Sequence, residues 1–213
     1  MVVRVCERAQ ASGAQSVTVA TDDERIRDAV ARHGQRALMT RAGHASGTDR
    51  IAEASATLGF DDHEVLVNVQ GDEPLIEPGL IEEVAAALER NREASMSTAC
   101  HAIHDAASLT NPNVVKVVLD AAGYALYFSR SRIPFPREPG GSWYRHTGIY
   151  GYRAGFLKKF SALQPSPDEK TETLEQLRAL WHGYRIAVVV SKAGIPPGVD
   201  TPQDLEAVRR MLR

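Results

Sequence analysis

Short apolar runs alternate with amphipathic stretches along the whole chain, and this alternation limits the fold more than any other feature of the sequence. Val17-Thr18-Val19-Ala20 reads as a buried strand. Thr21-Asp22-Asp23 then supply capping side chains for a helix over about 24–33 that stops at Gly34. Ser46-Gly47-Thr48-Asp49 open a second helix to about residue 58, and Val65-Leu66-Val67-Asn68-Val69 is the most strand-like run present. Gly71-Asp72-Glu73-Pro74 ends that run abruptly, a long helix over about 78–90 follows, and Ser97-Thr98-Ala99-Cys100 has the composition of the next strand.

The middle of the chain reads differently. Residues 114–119 and 124–128 flank Asp120-Ala121-Ala122-Gly123, which has the length and the glycine of a hairpin loop. Pro134, Pro136, Pro139 and two glycines make 131–141 an irregular loop or flap. Extended structure is expected over 145–152, a short helix over 154–160, and a longer helix over 173–181 feeding a strand at 186–190. Thr201-Pro202-Gln203-Asp204 start a last helix, to 212. Strands alternating with helices imply an α/β fold: a mainly parallel sheet covered on both faces, with an antiparallel hairpin inserted around 114–128. Ligands of such sheets bind beyond the carboxyl ends of the strands, so polar residues just after strands carry extra weight.

Composition narrows the functional classes. With 213 residues and 43% hydrophobic content the chain can bury a sizeable core, which sets disorder aside. Lys and Arg number 25 against 27 Asp and Glu, a formal charge of −2, so neither nucleic acid nor an anionic membrane is an expected partner. Cys6 and Cys100 have no companion at metal spacing, and two free thiols suit a reducing cytoplasm. No run approaches the roughly 18 apolar residues of a spanning helix, and the charged start makes a poor signal peptide. A cytoplasmic protein is the expectation.

The strongest local signal for chemistry is Asn68-Val69-Gln70-Gly71-Asp72-Glu73-Pro74. An acid straight after a buried strand sits at the ligand edge, and Gly71 lets the backbone turn so that Asp72 points into the crevice; the same residues also suit a plain turn before a helix. Asp200, in Gly198-Val199-Asp200-Thr201-Pro202, either presents a second carboxylate to that edge or sits as an ordinary residue before a helix. Two carboxylates plus substrate phosphates are what Mg²⁺ prefers. Ser46, Gly47 and Thr48 offer hydroxyls and helix N-terminal amides, with Arg50 free to grip a carboxylate, or else an ordinary capped helix. The segment from Arg145 to Tyr152 is richer in polar and aromatic groups than a simple strand needs, although His146 alone suits a structural role. Glu175 sits beside a Leu174, Leu177, Leu180 stripe and by itself reads as solvated. The glycine-rich dinucleotide fingerprint, the P-loop and the nucleophile elbow are all missing, which argues against a dehydrogenase, a P-loop enzyme and a triad hydrolase.

Taken together and in order, Ser46-Gly47-Thr48-Asp49-Arg50, Val69-Gln70-Gly71-Asp72-Glu73-Pro74, Asn111-Pro112-Asn113-Val114-Val115-Lys116, Tyr127-Phe128-Ser129-Arg130, His146-Thr147-Gly148-Ile149-Tyr150-Gly151-Tyr152-Arg153, Leu174-Glu175-Gln176-Leu177-Arg178 and Gly198-Val199-Asp200-Thr201-Pro202 closely resemble the 3-deoxy-manno-octulosonate (Kdo) cytidylyltransferase, or CMP-Kdo synthetase, family. The resemblance covers essentially the whole chain. It implies a three-layer αβα fold of the sugar-nucleotide-transferase type, a homodimer, and transfer of CMP from CTP to Kdo with release of pyrophosphate for lipopolysaccharide assembly. Carried onto matching residues, it implies that Asp72 and Asp200 hold catalytic Mg²⁺ and that Gln70 and Arg50 contact the sugar. His146, Tyr150 and Glu175 then complete the sugar pocket, and Ser46, Gly47 and Thr48 lie near cytosine and ribose. Family members begin with a strand and a basic, glycine-rich loop around the triphosphate, whereas Met1 aligns with an internal position. The expectation is therefore a single nucleotidyltransferase domain over 1–213 without that strand and loop, binding CTP poorly as it stands, with 112–152 as an inserted hairpin and flap. A related cytidylyltransferase for sialic acid or methylerythritol phosphate, or a non-catalytic nucleotide- or sugar-binding fragment, are the alternatives.

Overall fold

The computed structural model describes residues 1–44, 46–138, 140–192, 194, 198–199 and 201–211. It opens with α1 (Val2–Gln10), which buries Val5 and Cys6. A strand–helix–strand unit follows: β1 (Thr18–Thr21), α2 (Glu24–Arg32) and β2 (Arg36–Met39), with the two strands parallel and Thr18 opposite Arg36. Asp23 caps α2 by accepting from the Arg25 N–H, and Ser46 caps α3 (Gly47–Leu58) by accepting from the Asp49 N–H. These bonds satisfy amides that a helix start otherwise leaves orphaned. Next come β3 (Val65–Asn68), α4 (Pro78–Arg90), β4 (Ala94–Ala102), α5 (Ala106–Thr110), β5 (Lys116–Leu119), β6 (Ala125–Ser129) and β7 (Tyr144–Arg153). The chain then runs through α6 (Ala154–Phe160), α7 (Pro167–Glu172), α8 (Gln176–Trp181), β8 (Arg185–Ser191) and α9 (Pro202–Met211).

Among the described residues the main sheet has six strands in the order β6-β5-β7-β4-β8, with β3 also paired to β7. β7 is long enough to pair with β5 through Arg145 and Tyr144 and with β3 through 150–153, while β4 runs antiparallel along its other edge. β8 is parallel to β4, so β3, β4, β5 and β8 point one way and β6 and β7 the other. This is the expected α/β sheet, and the expected hairpin is β5–β6, which extends that same sheet.

Helices cover both faces. On one, Leu80, Ile81 and Val84 of α4 pack with Ile76, Ala99 and Ile149. On the other, Phe156, Leu157 and Phe160 of α6 and Leu177 of α8 pack with Met96, Phe128, Tyr152 and Ile186. Each Val, Leu, Ile, Phe or Met among them contributes about 1.5–3 kcal/mol by leaving water. Gly151 lets α4 lie close: a Cβ there would stand 2.3 Å from the Ser97 hydroxyl and 3.3 Å from Val84.

Three elements depart from the sequence expectation: β2 and α5 were not expected, and the helix expected over 173–181 begins only at Gln176, with a separate short helix, α7, before it. Ser166 and Glu169 form a reciprocal capping box with Pro167 at the first turn, so helix begins earlier, at α7. Thr173 then adopts φ 54°, a left-handed conformation costly for a β-branched residue, and breaks the helix before Leu174. The corner is held by Arg178, which donates to both oxygens of Glu169, and by Glu172, which accepts from the Ser129 hydroxyl at 2.6 Å and the Arg130 N–H at 2.9 Å.

Candidate functional site

Thr48, in the first turn of α3, is buried and faces the sheet. Its hydroxyl lies 2.7 Å from a Glu175 carboxylate oxygen, to which it donates, and 3.3 Å from the Tyr152 hydroxyl. The α7–α8 corner presents Glu175 to that point. A row of rings extends from there along β7: Tyr152 and Tyr150 stack with centroids 6.0 Å apart, and His146 lies 5.4 Å from Tyr150 and edge-on to Phe128. The structure therefore brings together four of the expected residues, Thr48, His146, Tyr150 and Glu175.

Burial sets the protonation of this row. It lowers His146 to about 3, so the imidazole is neutral near pH 7. The Thr98 hydroxyl has one proton, and its shortest contact to an obligate acceptor is the Ile149 carbonyl at 2.7 Å. The 2.9 Å contact with His146 Nε2 is then one in which Nε2–H donates, leaving a lone pair on Nδ1. Burial first, then the neighbouring Tyr152 and Glu175, raises the Tyr150 phenol well above its ordinary value. Tyr150 is thus a hydroxyl donor, Glu175 an acceptor and His146 a neutral acceptor, an arrangement suited to a hydroxyl-rich ligand.

Asp72 lies in the turn after β3, where the Glu73 N–H donates to the Gln70 carbonyl at 3.2 Å. The Val199 N–H donates to the Asp72 carbonyl at 2.9 Å, and Gly198 lies against Glu73. The segment leading to residue 200 is thereby tied to the Asp72 turn, although Asp200 itself lies outside the described residues. Gln70 is exposed at the end of the strand whose Leu66 and Asn68 stand opposite Tyr152 and Tyr150. Among the described residues no group of three or more His, Cys, Asp or Glu side chains has metal-holding geometry. Asp72 supplies one carboxylate at this turn, the donor type that suits Mg²⁺, an ion that takes one or two carboxylates and fills its remaining positions with water and phosphate.

Ser46 caps α3, and Gly47 has open space where a side chain would be. Arg50 departs from the expected grouping. Two residues beyond Thr48 it leaves α3 on another side, donating to the Thr40 hydroxyl at 2.6 Å and to Asp22 at 3.0 Å. In this structure it does not join His146, Tyr150 and Glu175: its partners follow the ends of β1 and β2. Thr98 and Tyr152 were missed. Tyr152 carried a signal, an aromatic at the same-face spacing from Tyr150, whereas Thr98 is joined to His146 only by pairing of distant strands. Among the described residues no helix is long and apolar enough to cross a membrane.

The chain is similar to known proteins along most or all of its length. A family model described as cytidylyltransferase matches residues 1–186. The 3-deoxy-manno-octulosonate cytidylyltransferase of Verminephrobacter eiseniae is 56% identical over 230 residues, spanning 100% of this chain and 85% of that protein. That of Leptothrix cholodnii is 57% identical over 219 residues, spanning 99% of this chain and 81% of that one. Among solved structures, CMP:2-keto-3-deoxy-manno-octonic acid synthetase complexed with CTP is similar with a TM-score of 0.93 and 42% identity, covering 99% of this chain and 86% of that one.

Proposed function

The chain belongs to the cytidylyltransferase family, and on that premise we propose that it transfers CMP from CTP to the anomeric hydroxyl of Kdo, in the supply of activated sugar for lipopolysaccharide. The observation that carries this reading is the meeting of Thr48, Tyr150, His146 and Glu175 on and around β7, whose partner β3 leads into the Asp72 turn, in a chain 56% identical along its whole length to a Kdo enzyme. In the reaction the sugar oxygen bonds to the α-phosphorus as the bond to the β-phosphate oxygen breaks. Pyrophosphate departs as the leaving group and the hydroxyl proton passes to solvent.

The pocket residues orient the sugar. Glu175 accepts from its hydroxyls, Tyr150 and Gln70 donate, and His146 accepts at Nδ1. With its basicity lowered to about 3, His146 is a poor general base and serves as a hydrogen-bonding residue. Arg50 reaches the sugar carboxylate by exchanging it for Asp22. Ser46, Gly47 and Thr48 face cytosine and ribose. Asp72 and Asp200 would hold Mg²⁺, which when bound neutralises phosphate charge and lowers the pKa of the attacking hydroxyl. Cys6 and Cys100, buried and unpaired, suit the cytoplasm. Leu126 on the edge strand β6 and the exposed Phe135 and Trp181 suit a homodimer.

Pyrophosphate release from CTP with Mg²⁺ and, in turn, Kdo, sialic acid or methylerythritol phosphate tests the reading. Release with Kdo alone is expected. Preference for either other acceptor, or release with none, overturns it.

A further inference from the structure

Glu53 lies one turn beyond Arg50 on α3, and its carboxylate gathers three donors from the connection that enters the helix. One oxygen accepts from the Arg41 backbone N–H at 3.0 Å, and the other from Arg41 Nε at 2.9 Å and from His44 Nε2 at 2.6 Å. An ordinary helix-surface ion pair joins neighbours three or four residues apart and contributes little. These contacts instead span 12 and 9 residues, and one is to main chain. The His44 side chain is 6% exposed and that of Glu53 21%, so solvent screens this contact less than it does the outer Arg41 guanidinium, which is 80% exposed. Hydrogen bonding by Arg41 lowers the Glu53 pKa, which keeps the carboxylate ionised and able only to accept. Arg50 adds a second tie by donating to Thr40. The connection from β2 is thereby fastened to α3 at residues 40, 41 and 44, immediately before Ser46, Gly47 and Thr48.

We propose that Glu53 is a positioning residue for the nucleotide: by holding residues 41–44 against α3 it fixes where Ser46, Gly47 and Thr48 meet cytosine and ribose. The proposal rests on the assignment of Ser46 to Thr48 to the nucleotide. Glu53 touches no substrate and acts through the connection it holds. A glutamine at this position cannot replace it, because either orientation of the amide turns its NH₂ towards a donor.

The test is steady-state kinetics of Glu53→Gln, His44→Ala and Gly47→Val, with the KM for CTP and for Kdo measured separately and melting followed in parallel. Gly47→Val fills the open space at Gly47 and reports on the nucleotide assignment by itself. Glu53→Gln is expected to raise the CTP KM about tenfold, the scale of a lost charge-assisted hydrogen bond, with Kdo KM and melting close to wild type. His44→Ala should move the CTP KM in the same direction by less. A CTP KM unchanged in Glu53→Gln but raised in Gly47→Val overturns the latch and leaves the nucleotide assignment standing. No change in CTP KM for Gly47→Val overturns that assignment and the latch with it. Equal rises in both KM values with lowered melting would reduce Glu53 to a structural residue and also overturn the proposal.

Discussion

Burial pushes the His146 imidazole from its ordinary 6.5 to about 3, and the consequence is a pH dependence of stability. The unfolded chain takes up a proton at this residue as pH falls through 6.5, while the folded chain refuses it until about 3. Stability at this residue is therefore complete above 6.5 and is lost progressively between 6.5 and 3. His146→Gln removes the difference. Between pH 6.5 and 5, before most carboxylates titrate, denaturant midpoints of the wild type should fall more steeply than those of the variant, which keeps only the contribution of His101, also lowered by burial; parallel curves would contradict the burial argument. The single side chain also shows what sequence conveys and what it withholds. Asp72 was legible because a strand ends just before it and Gly71 marks the turn. Arg50 was legible as a cation near a helix start, but its partners, Asp22 and Thr40, follow other strands and are set by how β1 and β2 dock on α3.

Elements with strong end signals could be read from sequence alone. α4 runs over Pro78–Arg90, with proline at its start, and α6 over Ala154–Phe160, both as expected. β2 was not, because Arg36–Met39 has four residues, exposed at both ends and half-buried between, with too little alternation to stand out. The α7–α8 corner escaped because its break falls at Thr173, a residue with no intrinsic preference for the left-handed region, which the Arg178–Glu169 pair and the Ser129–Glu172 bond enforce from outside. The Arg178 and Glu169 side chains are 9% and 10% exposed, so Arg178→Leu strands a buried carboxylate. A loss of about 3–5 kcal/mol in unfolding free energy is expected, measurable by urea denaturation. A loss below about 1 kcal/mol, the scale of an exposed pair, would show that the corner does not depend on it.

At the scale of the molecule, one long strand organises the site. β7 carries His146, Tyr150 and Tyr152, pairs with β3 so that Asn68 stands opposite Tyr150, and pairs with β4 so that Thr98 reaches His146. The alternation of strands and helices announced the α/β layers. It did not announce that β7 would run against β3, β4 and β5 and gather the site residues, since strand order is a tertiary property. The edge strand β6 exposes Leu126, and the loop after it leaves Phe135 84% exposed. A homodimer through this side predicts that Leu126→Glu with Phe135→Ser shifts sedimentation from dimer to monomer at micromolar concentration; an unchanged dimer would place the interface elsewhere. In the proposed function Glu175 and the ring row beside it hold the acceptor sugar. Glu175→Gln, with kcat/KM for Kdo and KM for CTP compared with wild type, tests it most directly. Loss of a charged acceptor predicts a fall of about 10- to 100-fold in kcat/KM for Kdo, with the CTP KM nearly unchanged, whereas unchanged Kdo kinetics, or a defect confined to CTP, would contradict the account.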